Sequence, residues 1–294
     1  MKKTVYLIAL IFGLQFSFAA NAQQSEVISL RVPEFARPLV EKWAHDYRQH
    51  HSTVNFEFIK GKTQDANLNI LELTTDQEAV NFARYAVLPV TIKDSEAARL
   101  TSHRLNAKKL RSLFFVNDDE DEEESKAEQK IHIYTGNSQL SASRLYASYL
   151  NEEVSDYKGK KISGDDAFLT TAISRDPLGV TINYLSNIFD FESRQPGSSL
   201  ALLPLDLDKH GRQVLDAANL DGIIQLLEQQ SYDEIPVGNV GFVYDHTDSA
   251  INDFVNWVLT AGISDLHHFG MLSLSQSELT AQLQRISSKD LAQK

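Results

Sequence analysis

A strand, a helix and a second strand follow one another between residues 26 and 58, and this pattern constrains the fold more than any other feature. Apolar residues of the middle segment recur at spacings of three and four, as on the buried face of a helix. They are Ala36, Leu39, Val40, Trp43, Ala44 and Tyr47. The preceding Glu26 to Leu30 and the following residues 54–58, which alternate between apolar and polar, are typical of strands. Such a unit predicts two parallel strands with a right-handed connection.

Further apolar segments have the length and composition of strands, and helical patterns separate them along the chain. They are Leu68 to Leu73, Ala86 to Val90 and Val240 to Tyr244. Strands that alternate with helices predict an α/β fold. A chain of 294 residues is long enough for two lobes or for one large domain.

Residues 131–150 combine a short apolar strand, a polar turn and a helix. Ile131 to Tyr134 is predicted as the strand, Thr135 to Gln139 as the turn and Leu140 to Leu150 as the helix. The serines of the first helical turn are Ser138, Ser141 and Ser143. A helix start exposes backbone N–H groups and the positive end of the helix dipole, so an anion is its natural ligand. The alternative is that a serine only caps the helix.

The amino-terminal segment has the form of a secretory signal peptide. Lys2 and Lys3 precede the apolar run Val5 to Phe18, and Ala20-Asn21-Ala22 resembles a cleavage site. We expect cleavage before Gln23 and a periplasmic mature protein, because no later segment has an apolar run long enough to span a bilayer. The sequence contains no cysteine, which excludes disulfide bonds and thiolate metal sites.

The charge balance is strongly acidic. Cleavage of the signal would remove two lysines and no acidic residue, which changes the formal net charge from −12 to −14. This charge argues against a nucleic-acid partner. An unbroken run of acidic residues extends from Asp118 to Glu124, and residues 117–129 are therefore predicted to form a mobile surface loop. A tether that binds a divalent cation is the alternative, although the spacing of a calcium loop is missing.

Several short segments occur in an order that resembles one protein family. They are Pro38–Ala44 (PLVEKWA), Arg84–Thr91 (RYAVLPVT), Tyr134-Thr135, Asp176–Val180 (DPLGV), Leu203–Asp206 (LPLD) and Phe254–Leu259 (FVNWVL). In this order they resemble the phosphate-binding periplasmic proteins of ABC importers, in the branch common in Bacteroidetes-like bacteria. The resemblance covers nearly all of the chain after the signal.

The resemblance implies a two-lobed periplasmic binding protein of type II, in which two crossover strands join two α/β lobes that close on an anion. Arg84 to Thr91 would be the first crossover and Ile235 to Tyr244 the second. Residues 23–90 and 237–294 would then form lobe one, and residues 91–236 lobe two. A monomer that partners with an importer permease is expected, with no cofactor.

The segments expected to hold the anion depart from the family pattern. In the family the first strand ends in a Gly-Ser-x-Thr-like turn, whereas this chain has Arg31 to Phe35, where Pro33 removes a donor and Glu34 adds a negative charge. A second family turn carries an arginine at the position of Gly136. Residues that keep donors are predicted to bind the ligand. They are Thr135, Asn137, Ser138 and Ser141, with Arg37 and Thr63, and the neighbouring Lys60 and Lys62, on the other lobe.

These departures leave two outcomes open. The pocket either binds an oxyanion with altered chemistry or has lost this capacity while the fold is retained. A negative charge beside a dianion opposes binding, so phosphate is expected to bind more weakly than in family members with intact turns. The double substitution Glu34→Ser and Gly136→Arg is expected to strengthen binding.

Signatures of catalysis and metal binding are missing or incomplete. The sequence contains no Gly-x-Ser-x-Gly, His-Glu-x-x-His or Gly-x-x-x-x-Gly-Lys-Ser/Thr motif. Asp206 to Gly211 resembles the start of a calcium loop, but Ala217 stands where a bidentate glutamate is needed, so a plain turn is predicted. The adjacent pairs His50-His51 and His267-His268 are predicted at the surface, because neighbouring side chains point to different sides.

The sequence therefore predicts a periplasmic solute-binding protein without catalytic residues or metal, which captures an oxyanion, phosphate first, for an inner-membrane importer. The alternative is a non-transporting interaction protein that keeps the lobes and presents a surface, including the acidic loop, to a membrane complex. An exported phosphatase-like enzyme is a third candidate, for which no nucleophile with a positioned base can be named.

Overall fold

The computed structural model describes residues 26–60, 65–73, 79–116, 128–137 and 141–292. The strands are β1 (Glu26–Arg31), β2 (Val54–Phe58), β3 (Leu68–Leu73), β4 (Val80–Ile92), β5 (His132–Gly136), β6 (Lys160–Ile162), β7 (Gly179–Tyr184), β8 (Leu200–Leu202) and β9 (Val237–Tyr244). The α-helices are α1 (Arg37–His50), α2 (Glu96–Leu100), α3 (Ala107–Phe114), α4 (Ala142–Tyr149), α5 (Ala167–Ile173), α6 (Leu185–Ile188), α7 (Lys209–Ala217), α8 (Leu220–Gln229), α9 (Ser249–Thr260) and α10 (Gln276–Ala292). Short 3-10 helices cover Glu34–Ala36, Glu128–Lys130, Val154–Asp156 and Gly262–Phe269.

The described strands form one sheet in the order β2-β1-β3-β9-β4-β7-β5-β6, and β8 pairs with β4. The long strand β4 takes part in both ends of this sheet, because residues 80–86 pair with β9 and residues 87–92 pair with β7 and β8. We call β2, β1, β3, β9 and the start of β4 the first half-sheet. The end of β4 with β7, β5, β6 and β8 is the second half-sheet.

The α/β class predicted from the sequence is confirmed. The helix α1 covers the segment whose periodicity predicted it, β1 and β2 pair in parallel on either side of it in sequence, and β3 has the predicted bounds. Strand β4 is longer than the predicted residues 86–90, because the residues before this segment are also largely buried and pair with β9. The division into lobes at residues 90 and 237 stays a prediction.

Residues 131–150 differ from the prediction in the bounds of their elements. Strand β5 continues through Thr135 and Gly136, which were expected in the turn, because both pair in parallel with β6. Helix α4 begins at Ala142 instead of Leu140. Tertiary pairing with β6 therefore lengthens the strand at the expense of the turn.

One cluster of buried apolar residues spans both half-sheets. Trp43 on α1 is fully buried in it and donates its Nε1–H to the Gly262 carbonyl at 2.8 Å. Among the described residues, none of the helices has the length and apolar composition needed to cross a membrane. The predicted signal peptide at residues 1–22 and the acidic run at residues 118–124 lie outside the described residues.

The segment that resembles a calcium loop is a helix start. Asp208 caps α7, and its Oδ1 accepts the Gly211 N–H at 2.7 Å, so the segment begins a helix where a plain turn was predicted. Within the described ranges, no group of three or more His, Cys, Asp or Glu side chains is placed to hold a metal ion. The pairs His50-His51 and His267-His268 are exposed, as predicted.

Candidate functional site

A cleft of about 490 Å³ lies where the two half-sheets meet. From the first half-sheet it is lined by residues 32–35, which follow β1, and by Lys60, which follows β2. From the second it is lined by residues 164–166 and Phe168 at the start of α5 and by Tyr184 at the end of β7. Clefts between two structural units are common ligand sites, and we take this one as the candidate site.

An ion-pair cluster forms part of the first wall. Glu34 lines the cleft, and its carboxylate accepts the Arg37 Nε–H at 2.9 Å. The same guanidinium also lies 3.4 Å from Glu41 Oε1 and 5.4 Å from the centre of the Phe58 ring. Arg37, a predicted ligand residue, is therefore already matched by two carboxylates of its own chain.

The N-terminus of α4 contacts the second wall through the carboxylate of Asp166, a lining residue of the cleft. Ser141 is the N-cap, and its Oγ accepts the Arg144 N–H at 3.3 Å. The Ala142 N–H, at the first position of the helix, donates to Asp166 Oδ2 at 2.7 Å. We call the space in front of this helix end, bounded by Gly136, Ser141 and Ala142, the α4 anion position. Asp166 occupies it.

Asp166 is nearly enclosed by protein. It is 5% exposed, and in the part of the chain that the structure describes its Oδ1 has no hydrogen-bond partner. Burial raises the pKa of this carboxyl group to about 7; the charges of Glu72 and Asp165 act in the same direction, and the hydrogen bond from Ala142 acts against it. A carboxyl group with this pKa gains and loses its proton around neutral pH.

Gly136 borders Asp166 so closely that no side chain fits there. A Cβ atom at Gly136 would lie 2.5 Å from Asp166 Oδ1 and 3.0 Å from Ser141 Cβ. The expectation that Gly136→Arg would supply the missing guanidinium therefore does not fit the structure, because Asp166 occupies the space that the new side chain needs.

Glu72 at the end of β3 connects the two half-sheets beside the cleft. Its carboxylate accepts hydrogen bonds from the hydroxyl groups of Tyr85 and Tyr184, each at 2.7 Å. The Phe35 ring stacks on the Tyr184 ring with the centroids 4.1 Å apart. Burial raises the pKa of Glu72, whereas the hydrogen bonds from the two tyrosine hydroxyl groups and the charge of Arg144 lower it. Because Tyr184 belongs to β7, these contacts join the first half-sheet to the second.

Among the described residues, the predicted ligand residues Thr135, Asn137 and Ser141 do not line the cleft. Thr135 is fully buried in β5, and its Oγ1 has no hydrogen-bond partner among the described residues. Asn137 is exposed and donates its Nδ2–H to Ser163 Oγ at 2.8 Å. Ser141 is buried at the start of α4. Outside the described residues lie Thr63 and Ser138. The part of all these residues in ligand binding stays a prediction.

Sequence reasoning did not find Glu72 and Asp166. The signal for Glu72 is a single carboxylate in the apolar strand Leu68–Leu73. The signal for Asp166 is its place before the apolar segment of α5, which also describes an ordinary helix start. The partner of Asp166 is 24 residues away in the sequence, so no local pattern reveals the contact.

Carboxylates outnumber cations around the cleft. Glu34, Asp165 and Asp166 line it, and Lys60 is the cation among the described lining residues. A negative field of this kind attracts cations and opposes anions, most strongly those with two charges.

A second cavity of about 560 Å³ surrounds β8 and the end of α7. Lys93 and Asp216 are its charged lining residues. All of its lining residues lie between residues 93 and 218, beside β8 at the edge of the second half-sheet. The cleft is the stronger candidate, because residues of both half-sheets converge on it.

The sheet order and the cleft define the class of this fold, which is the α/β, two-lobed fold of type II periplasmic binding proteins. The structure is similar to an ABC-type phosphate transport receptor from Vibrio cholerae, with a TM-score of 0.54 and 10% identity over 85% of this chain and 100% of that chain. It is equally similar to a Clostridium perfringens protein assigned as the substrate-binding protein of a phosphate ABC transporter, solved with bound phosphate (TM-score 0.54, 10% identity, 85% and 100% coverage).

The same fold occurs in a different class of protein. The regulatory domain of OxyR2 from Vibrio vulnificus has a TM-score of 0.50 and 9% identity, over 83% of this chain and 97% of that chain. No protein-family model and no curated protein matches the sequence. These comparisons establish the fold, and the narrower resemblance to the Bacteroidetes-like branch finds no support in them.

Proposed function

We propose that this protein is an exported, non-enzymatic solute-binding protein that captures a small oxyanion, phosphate first, and passes it to the permease of an inner-membrane importer. The observation that carries the proposal is the α4 anion position, where the Ala142 N–H holds a carboxylate at 2.7 Å. Free N–H groups and the helix dipole stabilise an anion at such a position. Two phosphate-transport proteins of the same fold support the proposal.

The charges of the cleft set the expected strength of binding. A phosphate dianion in the cleft would face Glu34, Asp165 and Asp166, whereas Lys60 alone among the described lining residues attracts it. A unit charge a few ångströms from a dianion opposes it by several kcal/mol at intermediate dielectric. We therefore expect weak phosphate binding, with the monoanion preferred over the dianion.

Calorimetry with phosphate on a matched pair of variants tests the proposal. Glu34 and Glu41 both pair with Arg37, but only Glu34 lines the cleft. We expect Glu34→Gln to raise the phosphate affinity by about three- to tenfold, since solvent screens a side chain that is 42% exposed. Glu41→Gln should leave the affinity within about twofold of the wild type.

Two results would count against this proposal. Absence of phosphate binding by the wild type and by both variants would exclude phosphate capture. Equal effects of Glu34→Gln and Glu41→Gln would show that the anion does not lie in the cleft.

A second candidate function is favoured by the contacts around Glu72. The Phe35–Tyr184 stack and the hydrogen bond from Tyr184 to Glu72 join the half-sheets directly. A chain with such a fixed joint suits a non-transporting interaction protein that presents its surface to a membrane complex. Small-angle X-ray scattering distinguishes the candidates, because a solute-binding protein contracts when phosphate is added and a fixed scaffold does not.

A further inference from the structure

We propose that Asp166 is the specificity-determining residue of the cleft, because its carboxylate occupies the α4 anion position and an incoming oxyanion has to displace it. This inference rests on the proposed function and names the residue that sets its selectivity. The Asp166 carboxylate then competes with the incoming anion for the Ala142 N–H. Anions that cannot accept this hydrogen bond in its place are disfavoured.

The contacts of α4 show that Asp166 is not needed as a helix cap. Ser141 is the N-cap, with its Oγ accepting the Arg144 N–H at 3.3 Å. Ser143 Oγ is also engaged and accepts the Gly136 N–H at 3.0 Å. Asp166 instead approaches from the start of α5 and takes the N–H of Ala142, a donor that an external anion would otherwise use.

Buried polar groups without partners supply a second and independent observation. Asp166 Oδ1 and Thr135 Oγ1 have no hydrogen-bond partner in the described part of the chain, although Asp166 is 5% and Thr135 is 0% exposed. Buried polar atoms are normally satisfied, because an unpaired one destabilises the fold. A carboxylate that is only half satisfied at a helix start is a poor structural element. It is well suited to displacement by a ligand with more oxygen atoms.

Asp165 provides a matched control for this role. It precedes Asp166 in the chain and lines the same cleft, but its Oδ1 accepts the Ala167 N–H at 2.8 Å within its own turn. Replacing either residue removes one carboxyl group from the cleft lining. Only replacement of Asp166 vacates the α4 anion position.

The test is phosphate calorimetry on the wild type, Asp166→Ser and Asp165→Ser, each first shown to be folded by circular dichroism. We expect Asp166→Ser to bind phosphate at least about tenfold more tightly than the wild type, since it loses a competing charge and gains free donors. Asp165→Ser should improve binding by less than about threefold.

A second readout tests the α4 anion position without phosphate. Formate can replace the lost carboxylate, so it should raise the melting temperature of Asp166→Ser and leave those of the wild type and Asp165→Ser unchanged. An Asp166→Ala variant serves the same purpose if the serine variant does not fold.

The outcomes separate the two proposals. If the wild type binds phosphate and neither variant binds it more tightly, or if both variants gain equally, the role of Asp166 is overturned and the proposed function stands. If no protein binds phosphate but formate stabilises Asp166→Ser, the proposed function fails and Asp166 remains the occupant of an anion position. If neither effect is seen, both proposals fail.

Discussion

Single carboxyl groups determine the chemistry of the cleft. Asp166 is buried and Glu72 is half-buried, and burial raises the pKa of each. A buried carboxylate opposes a second anion nearby and also destabilises the folded state when it is charged. The same residues therefore link ligand preference to the pH dependence of stability.

The substitution Asp166→Asn is expected to flatten the pH dependence of stability. Burial raises the pKa of Asp166 to about 7, whereas the unfolded chain has a pKa of about 4 for this group. The folded state keeps a proton that the unfolded state releases, so this contribution is full below about pH 4 and is lost as the pH rises through about 7. The full loss is about 4 kcal/mol, since the two pKa values differ by about 3 and each unit corresponds to about 1.4 kcal/mol, and the variant should not show it.

Urea unfolding at about pH 5 and about pH 8 measures this difference. The ionisable groups that act on or respond to Asp166 are Glu72, Asp165, Tyr157 and Tyr184. A residual slope from Glu72 should remain in the variant, because its pKa is also raised. Asp165→Asn serves as the control and should retain most of the wild-type slope, because burial, and not the charge of Asp165, is the main cause of the raised pKa of Asp166. An unchanged slope in Asp166→Asn would show that Asp166 is not the titrating group.

At the scale of helices and strands, the spacing of apolar residues in the sequence predicts those elements in which buried and exposed residues alternate regularly. The apolar spacing of α1 and the alternation in β2 identify them without tertiary information. The end of β5 and the start of α4 could not be placed in this way, because β5 is lengthened by pairing with β6 and α4 meets Asp166 from a distant segment. The donors around α4 were thus predicted, but the carboxylate that uses one of them was not.

The substitution Gly136→Ala tests how tightly β5 and α4 meet. Its Cβ would lie 2.5 Å from Asp166 Oδ1, so we expect the free energy of unfolding to fall by about 1–3 kcal/mol. Gly197→Ala is the control, because its Cβ would meet its nearest neighbour at 3.7 Å, which is ordinary contact. Denaturant unfolding of both variants gives the comparison. Equal stabilities would mean that the space beside Asp166 expands readily.

For the whole molecule, the fold limits the possible functions to those of proteins with the same architecture. The negative charge of the protein limits the ligands further. The same architecture serves phosphate-transport proteins and a regulatory domain, so it does not by itself identify a ligand. A formal net charge of −12 also slows the approach of any anion at low salt. Under the proposed function, selectivity therefore depends on particular residues of the cleft and not on the architecture.

The substitution Tyr184→Phe tests the contact between the half-sheets. It removes a hydrogen bond to Glu72 that joins β7 to β3, whereas Tyr85→Phe removes a bond of the same length within the first half-sheet. Each should lower the free energy of unfolding by about 1–3 kcal/mol. Only Tyr184→Phe should increase the radius of gyration measured by small-angle X-ray scattering. Equal scattering curves for the two variants would show that Glu72 does not control the relative position of the half-sheets.

The position of β9 has a consequence for biosynthesis. This strand lies between β3 and β4 in the sheet, although the chain completes all of the second half-sheet before reaching it. Until the segment of β9 is available for folding, the facing edges of β3 and β4 therefore have no partner, and unpaired strand edges recruit other chains. A polypeptide that has emerged only as far as β8 is thus exposed to aggregation, and a chaperone contributes most during this interval.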